Sequence, residues 1–422
     1  DYGKTWTAIA SGIPQGEYTR VIRADPVRRG LLYAGSELGV YVSFDDGASW
    51  ESLRNNLPVV AIHDVVVKDG DLVVATHGRS FWVCDGAAAL LRQSASAGGA
   101  HLFQPAPTVR FGGGGRMFLD RDVAFERPIT AMAMGDTMHY LKKRPENGEA
   151  ALYLDAGQNP PSGVVLHYYL PTKPTEAVTL TIRDAKGEVV RTFSSQPAEK
   201  ADPKLPAEAG ANRFVWNMRY EDATKLEGPA TFTIPGMGPV AVPGEYSAEL
   251  SVAGATLSQR FQILKDPRIA ASDADLQAQF AYLRQVRDKL SQLNEGVNRI
   301  RAMRKQTEEW VQRGKGHAEL NRRADELKGK LGDVEDQLTM VAYKGGQDFI
   351  ARAPRLNDKI AYLATVVGMA DFAPTKQSHD AYKQLADETD RQLDRLEGIV
   401  GQDVRQFAAF VRELDLAPVN PA

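Results

Sequence analysis

The sequence predicts a multidomain chain in four parts: a partial β-propeller over 1–92, an extended linker over 93–160, a β-sandwich over 161–266 and an antiparallel helical bundle over 267–422. Three observations carry this. A turn motif is repeated near the amino end, short alternating strands with turn residues fill the middle, and apolar seams at helical spacing fill the carboxyl third. A chain of 422 residues is long enough for several buried cores.

The repeated motif is Ser43-Phe44-Asp45-Asp46-Gly47-Ala48-Ser49-Trp50, and the chain opens on half of it, Asp1-Tyr2-Gly3-Lys4-Thr5-Trp6. Asp1 and Asp45 lie 44 residues apart, and Gly3/Gly47, Thr5/Ser49, Trp6/Trp50, Ile9/Leu53, Ile13/Leu57 and Pro14/Pro58 keep that offset. A period of this length suits a four-stranded propeller blade. Each residue type has a structural task. The Asp folds back onto its own turn, which contributes about 1 kcal/mol by analogy with helix caps. The Gly takes the positive φ of the turn. The Trp anchors the returning strand, and its burial contributes roughly 2–3 kcal/mol. Asp1, Gly3, Trp6, Asp45, Gly47 and Trp50 are therefore expected to hold shape, with Trp6 and Trp50 in equivalent surroundings.

Strands are expected over Tyr18 to Arg23, Leu31 to Gly35, Gly39 to Phe44, Ile62 to Val67, Leu72 to Ala75 and Phe81 to Cys84. Lys68-Asp69-Gly70-Asp71 is a hairpin turn. The next copy of the motif has decayed to Asp85-Gly86 with no following Trp, as a terminal repeat does. The second blade is thus expected to be unfinished, and earlier blades are expected upstream of residue 1.

Residues 43–50, Asn56-Leu57-Pro58 and the run from Gly70 through Thr76-His77-Gly78-Arg79-Ser80-Phe81-Trp82-Val83 resemble the bacterial sortilin-like (BNR/Asp-box) propeller proteins. The resemblance implies a many-bladed propeller, export to the extracellular space or cell envelope, and ligand binding on the propeller surface, without implying catalysis. Within it His77 and Arg79 are the candidate binding residues: they bracket a glycine at a strand junction, where both could hold an anionic group. The competing reading pairs Arg79 with a neighbouring blade and gives His77 a backbone carbonyl. Cys84, on an apolar strand, is expected as a small buried hydrophobe.

Ser94 to Ala100 is a flexible exit, and His101 to Pro107 is an extended, proline-stiffened segment expected to pack beside a neighbouring domain. Gly112 to Gly115 lacks the phosphate-loop pattern, and much of 112–150 is expected to be poorly ordered or laid over a neighbouring surface. Strand runs then recur at Val164 to Leu170, Val178 to Arg183, Val189 to Phe193, Asn212 to Met218, Ser247 to Val252 and Thr256 to Leu264. Arg183 to Arg191 and Pro243-Gly244-Glu245-Tyr246 resemble an Ig-like domain of the flagellar-hook-cap type, with Trp216 in the core.

Asp266-Pro267 ends the sandwich and Ser272 is an N-cap. One seam runs Leu276, Phe280, Leu283, Val286, Leu290, Leu293, Val297, Ile300; a second runs Leu320, Ala324, Leu327, Leu331, Val334, Leu338, Val341. Lys344-Gly345-Gly346 interrupts them. Leu356, Ile360, Leu363 and Val367 mark a third helix, and Tyr382 through Leu414 a fourth that continues or restarts after Gly401. Three or four helices packed within one chain are expected, an intermolecular coiled coil and hence an oligomer through the bundle being the alternative. Charged residues outside the seams read as a solvated face.

A net charge of −3 gives no basis for a nucleic-acid partner, and no apolar run has the length of a transmembrane segment. One cysteine allows no internal disulfide, and nothing calls for a cofactor or resident metal. The function expected is a non-catalytic binding or scaffolding protein that recognises peptide or protein segments. The alternative is a glycoside hydrolase of sialidase or xyloglucanase type, with a glycan ligand and its catalytic carboxylates in upstream blades.

Overall fold

The computed structural model describes residues 2–93, 99–111, 139–144, 148–153, 161–198, 203–228, 236–341 and 353–414. Asp1, most of the Ser94 to Ala100 exit, the Gly112 to Gly115 run and Lys344 to Gly346 lie outside the described residues.

The amino-terminal region is two antiparallel sheets, each in chain order. The first is β1 (Thr19–Ala24), β2 (Leu32–Ser36), β3 (Val40–Ser43) and β4 (Glu51–Ser52). The second is β5 (Ile62–Lys68), β6 (Asp71–Thr76) and β7 (Phe81–Cys84). Leu31, Tyr33, Val40 and Val42 from one meet Ile62, Val65, Leu72 and Val74 from the other in a shared core, closed by Ala87 and Ala88 of α1 (Ala87–Gln93). The buried Asp25 carboxylate fastens α1 to the first sheet. It accepts from Arg92 Nε at 2.8 Å, from the Val27 and Arg28 amides and from Tyr33 Oη. Burial alone would raise its pKa, but Arg92 and the two amides together hold it below the usual carboxylate range.

The repeat is visible in the backbone. Tyr2 (φ 57°) and Gly3 (φ 80°) match Asp46 (φ 59°) and Gly47 (φ 89°) at the same offset. The tryptophans do not match. Trp50 is 5% exposed and Trp6 is 90% exposed, so the expected equivalence of their surroundings fails. The difference lies in the segment that each tryptophan meets. Trp50 returns onto the segment before it, its amide donating to Ser11 O at 2.8 Å and its indole to Ile9 O at 2.6 Å. Trp6 has no comparable segment among the described residues, and its indole donates only to the nearby Gly3 O.

The middle region has two sheets around one core. β12 (Val164–Leu170) and β15 (Gly210–Trp216) are joined by β8 (His101–Leu102). Opposite them, β13 (Thr179–Asp184), β14 (Val189–Ser194), β16 (Gly244–Val252) and β17 (Ala255–Lys265) are joined by β9 (Thr108–Arg110), which runs parallel to β17. Part of the segment expected as linker therefore completes both sheets. Trp216 is fully buried beside Tyr246 and Phe261. A separate hairpin pairs β10 (His139–Arg144) with β11 (Gly148–Tyr153).

Five helices follow among the described residues: α2 (Asp273–Arg313), α3 (Ala318–Leu338), α4 (Leu356–Gly368), α5 (Lys376–Ile399) and α6 (Arg405–Glu413). A π-turn (Val400–Val404) carries α5 into α6, so this stretch continues through Gly401. Ser272 caps α2 in a reciprocal pair with Asp275. From Leu283 to Ile300 and from Leu320 to Leu338 the α2 and α3 seams pack into one core of the same chain, which is internal packing; Val341, expected at the end of the second seam, lies past α3 and is exposed. Phe280 departs from that core and packs on Tyr220 of the two-sheet middle region, ring centroids 4.8 Å apart.

One polar stripe of α2 is not solvated as its composition suggests. Arg287 and Arg301 donate to the carbonyls of Glu221 and Glu227, Asn294 and Asn298 to those of Thr224 and Lys225, and Ser291 accepts from the Thr224 amide. A helical row spaced by four and three residues thus satisfies the backbone of an extended segment.

Candidate functional site

The residues singled out from the sequence fall on two places of the amino-terminal sheets. The motif Asp45 is wholly occupied by its own turn. Its Oδ1 accepts from the Ser49 amide at 2.9 Å and from Ser43 Oγ at 2.8 Å, and its Oδ2 accepts from Ser49 Oγ at 2.6 Å. The Ser49 hydroxyl and amide, with Ser43, pull its pKa down to about 2. Gly47 closes the turn by donating its amide to Ser43 Oγ. With its oxygens committed this way, the motif serves architecture.

His77 and Arg79 lie on the exposed loop between β6 and β7. Thr76 organises it: its hydroxyl donates to Ser80 O at 2.6 Å and accepts from the Arg79 amide at 3.1 Å. Gly78 (φ 82°) and Ser80 (φ 62°) adopt left-handed backbone. Ser80 is a non-glycine residue there, a conformation found disproportionately at functional loops. The Arg79 guanidinium touches only the carbonyl of Gly78, at 3.3 Å, and forms no ion pair among the described residues. The His77 amide donates to Ala61 O at 2.9 Å, tying the loop to the start of β5.

The His77 ring meets a residue that sequence reasoning missed. His63 lies 4.8 Å from it between ring centroids, with the planes 33° apart. The hairpin turn pairs Lys68 with Asp71, and this register, continued, would place His63 opposite Thr76 and His77 opposite Ile62, on opposite faces. A β-bulge between Ile62 and Asp64 shifts the pairing by one residue, and both imidazoles emerge on one side. No spacing in the sequence announces a bulge.

The loop leads into an open strand edge. β3, third in its sheet, is covered by β4 and buried along its length. β7, third in its own sheet, pairs with β6 alone among the described residues and leaves Phe81 76% and Val83 55% exposed. On its other side Cys84 is half-buried; burial, with Asp85 and Asp71 nearby, raises the thiol pKa and keeps it protonated. Burial and Asp71 likewise raise the pKa of Asp85, while Asp71 accepts the Gly86 amide at 2.6 Å. Asp71 thus holds the turn that follows β7.

Among the described residues no cluster of three or more His, Cys, Asp or Glu is placed to hold a metal ion, and no helix is long and apolar enough to cross a membrane. No protein-family model, curated protein or solved structure matches the chain.

Proposed function

We propose that the chain is a non-catalytic binding and scaffolding protein of the cell envelope, of sortilin-like Asp-box type. In this reading the two amino-terminal sheets are propeller blades, the two-sheet unit is an Ig-like spacer, and the helices position it or dock a partner. The ligand is an extended peptide or protein segment laid along β7.

The contrast between β3 and β7 carries this reading. An unpaired edge presents a row of amides and carbonyls that an added strand satisfies. Phe81 and Val83, two residues apart, share a face and supply apolar contacts in register with alternate ligand side chains. Arg79, at the head of the strand, is placed to meet a ligand carboxylate.

Binding of a library of extended peptides, alongside a glycan panel, to the intact protein tests this. A saturable peptide signal that weakens at least tenfold in Phe81→Asp and in Val83→Asp, with unchanged circular dichroism, is expected. Absence of any saturable peptide binding, or turnover of a glycoside, overturns it.

A further inference from the structure

We infer that His63 and His77 form a two-histidine site for a divalent transition-metal ion of the zinc, copper or nickel class. This goes beyond the peptide-edge reading and does not depend on it. Zinc–imidazole bonds of about 2.0–2.1 Å place each ring centroid roughly 3.2 Å from a shared ion, so cis or tetrahedral ligation sets two centroids roughly 4.5–5.2 Å apart. The observed 4.8 Å lies inside that window.

The rest of the local structure agrees. Both histidines are exposed, and no side-chain hydrogen bond or ion pair engages either imidazole among the described residues. Their nitrogens are free to bind. The bulge at His63 and the bond from the His77 amide to Ala61 O fix the two backbones before any ion arrives, so little ordering cost remains. Asp64, next to His63 in sequence, is committed elsewhere, to Arg23 at 2.7 Å and to the Val65 amide. Two protein ligands leave coordination positions open, and imidazole nitrogen is the donor these metals share. The exposed Arg79 on the same loop would favour an anionic co-ligand there.

The test uses the intact chain with zinc or copper(II) chloride alone, followed by titration calorimetry and, for copper, electron paramagnetic resonance. One ion per chain is expected, with hyperfine structure from two imidazole nitrogens. Affinity should fall at least tenfold in both His63→Ala and His77→Ala, the copper signal then showing a single nitrogen at this site. Both side chains are exposed, so the variants should melt as the parent does. A parent signal with one nitrogen, or equal affinity and stoichiometry in the His63→Ala/His77→Ala double variant, overturns the site. Failure of peptide binding leaves it standing.

Discussion

Asp358 is the third residue of α4, and its carboxylate reaches back to the Arg355 amide as an N-terminal cap. The residue is otherwise buried, and its Oδ1 has no hydrogen-bond partner. Burial dominates: the pKa rises from 3.8 to about 6 despite the opposing amide bond. The sign follows from proton counting. Between about pH 4 and about pH 6 the folded chain holds a proton that the unfolded chain has released, so stability falls as pH rises through that window. At neutral pH the burial penalty is fully felt. Asp358→Asn keeps an oxygen for the cap and removes the charge. It should stabilise the protein by on the order of 1–3 kcal/mol at pH 7 and by little at pH 4, as read from denaturant unfolding of both proteins at the two values. Equal gains at the two pH values would reject burial of the charge as the cause.

At the scale of elements, the repeated motif separates what a sequence repeat encodes from what it leaves to context. The turn is local: Asp45, Ser43, Ser49 and Gly47 satisfy one another within seven residues, and the matching backbone at Tyr2 and Gly3 follows from the same letters. The tryptophan's environment is non-local, because a strand-like segment must cross in front of it. Gly12 (φ 97°) lets that segment approach; a Cβ there would collide with the Trp50 carbonyl. Trp50→Ala should therefore cost about 3–5 kcal/mol and loosen the first sheet, while Trp6→Ala should stay within about 0.5 kcal/mol, measured by thermal or denaturant unfolding. Comparable losses from the two would overturn this assignment. The same division explains how much was legible. Strands with clear alternation, such as Val164–Leu170 and Phe81–Cys84, were legible almost residue for residue, whereas helix ends were not: α2 runs on to Arg313 past its last seam residue Ile300, and α3 stops at Leu338 short of Val341. Two features hidden from the sequence depend on distant partners: the sheet-completing role of β8 and β9, and the α2 stripe that binds residues 221–227. Within the site, His77 and Arg79 stood out because a glycine separates them, whereas His63 was hidden by the register shift.

At the scale of the molecule, what matters is how the two-sheet middle region and the helices are held together. Arg110, at the end of β9, is buried and pairs with the buried Asp371 of the α4–α5 turn at 2.7 Å. The same guanidinium donates to Ala241 O and to Gln279 of α2, and Gln279 in turn donates to Val367 O and Ala370 O. Four separate stretches of chain meet at one charged group. Phe280 on Tyr220 and the stripe from Arg287 to Arg301 extend the same seam. By contrast, the joint from α1 toward the middle sheets has Gln93 exchanging hydrogen bonds with the backbone of Gln104, a much thinner connection. The two-sheet middle region and the helices should consequently melt as one cooperative unit, and the two amino-terminal sheets as another. Removing one member of a buried pair strands the other, at a cost of about 3–5 kcal/mol, whereas replacing both with apolar groups is often close to neutral. Arg110→Met should thus split the transition shared by the middle sheets and the helices into two in differential scanning calorimetry. The Arg110→Met/Asp371→Leu double variant should bring them back together. If the single variant keeps one undivided transition at the parent temperature, the pair does not couple the two regions, and the α2 stripe alone must carry the connection.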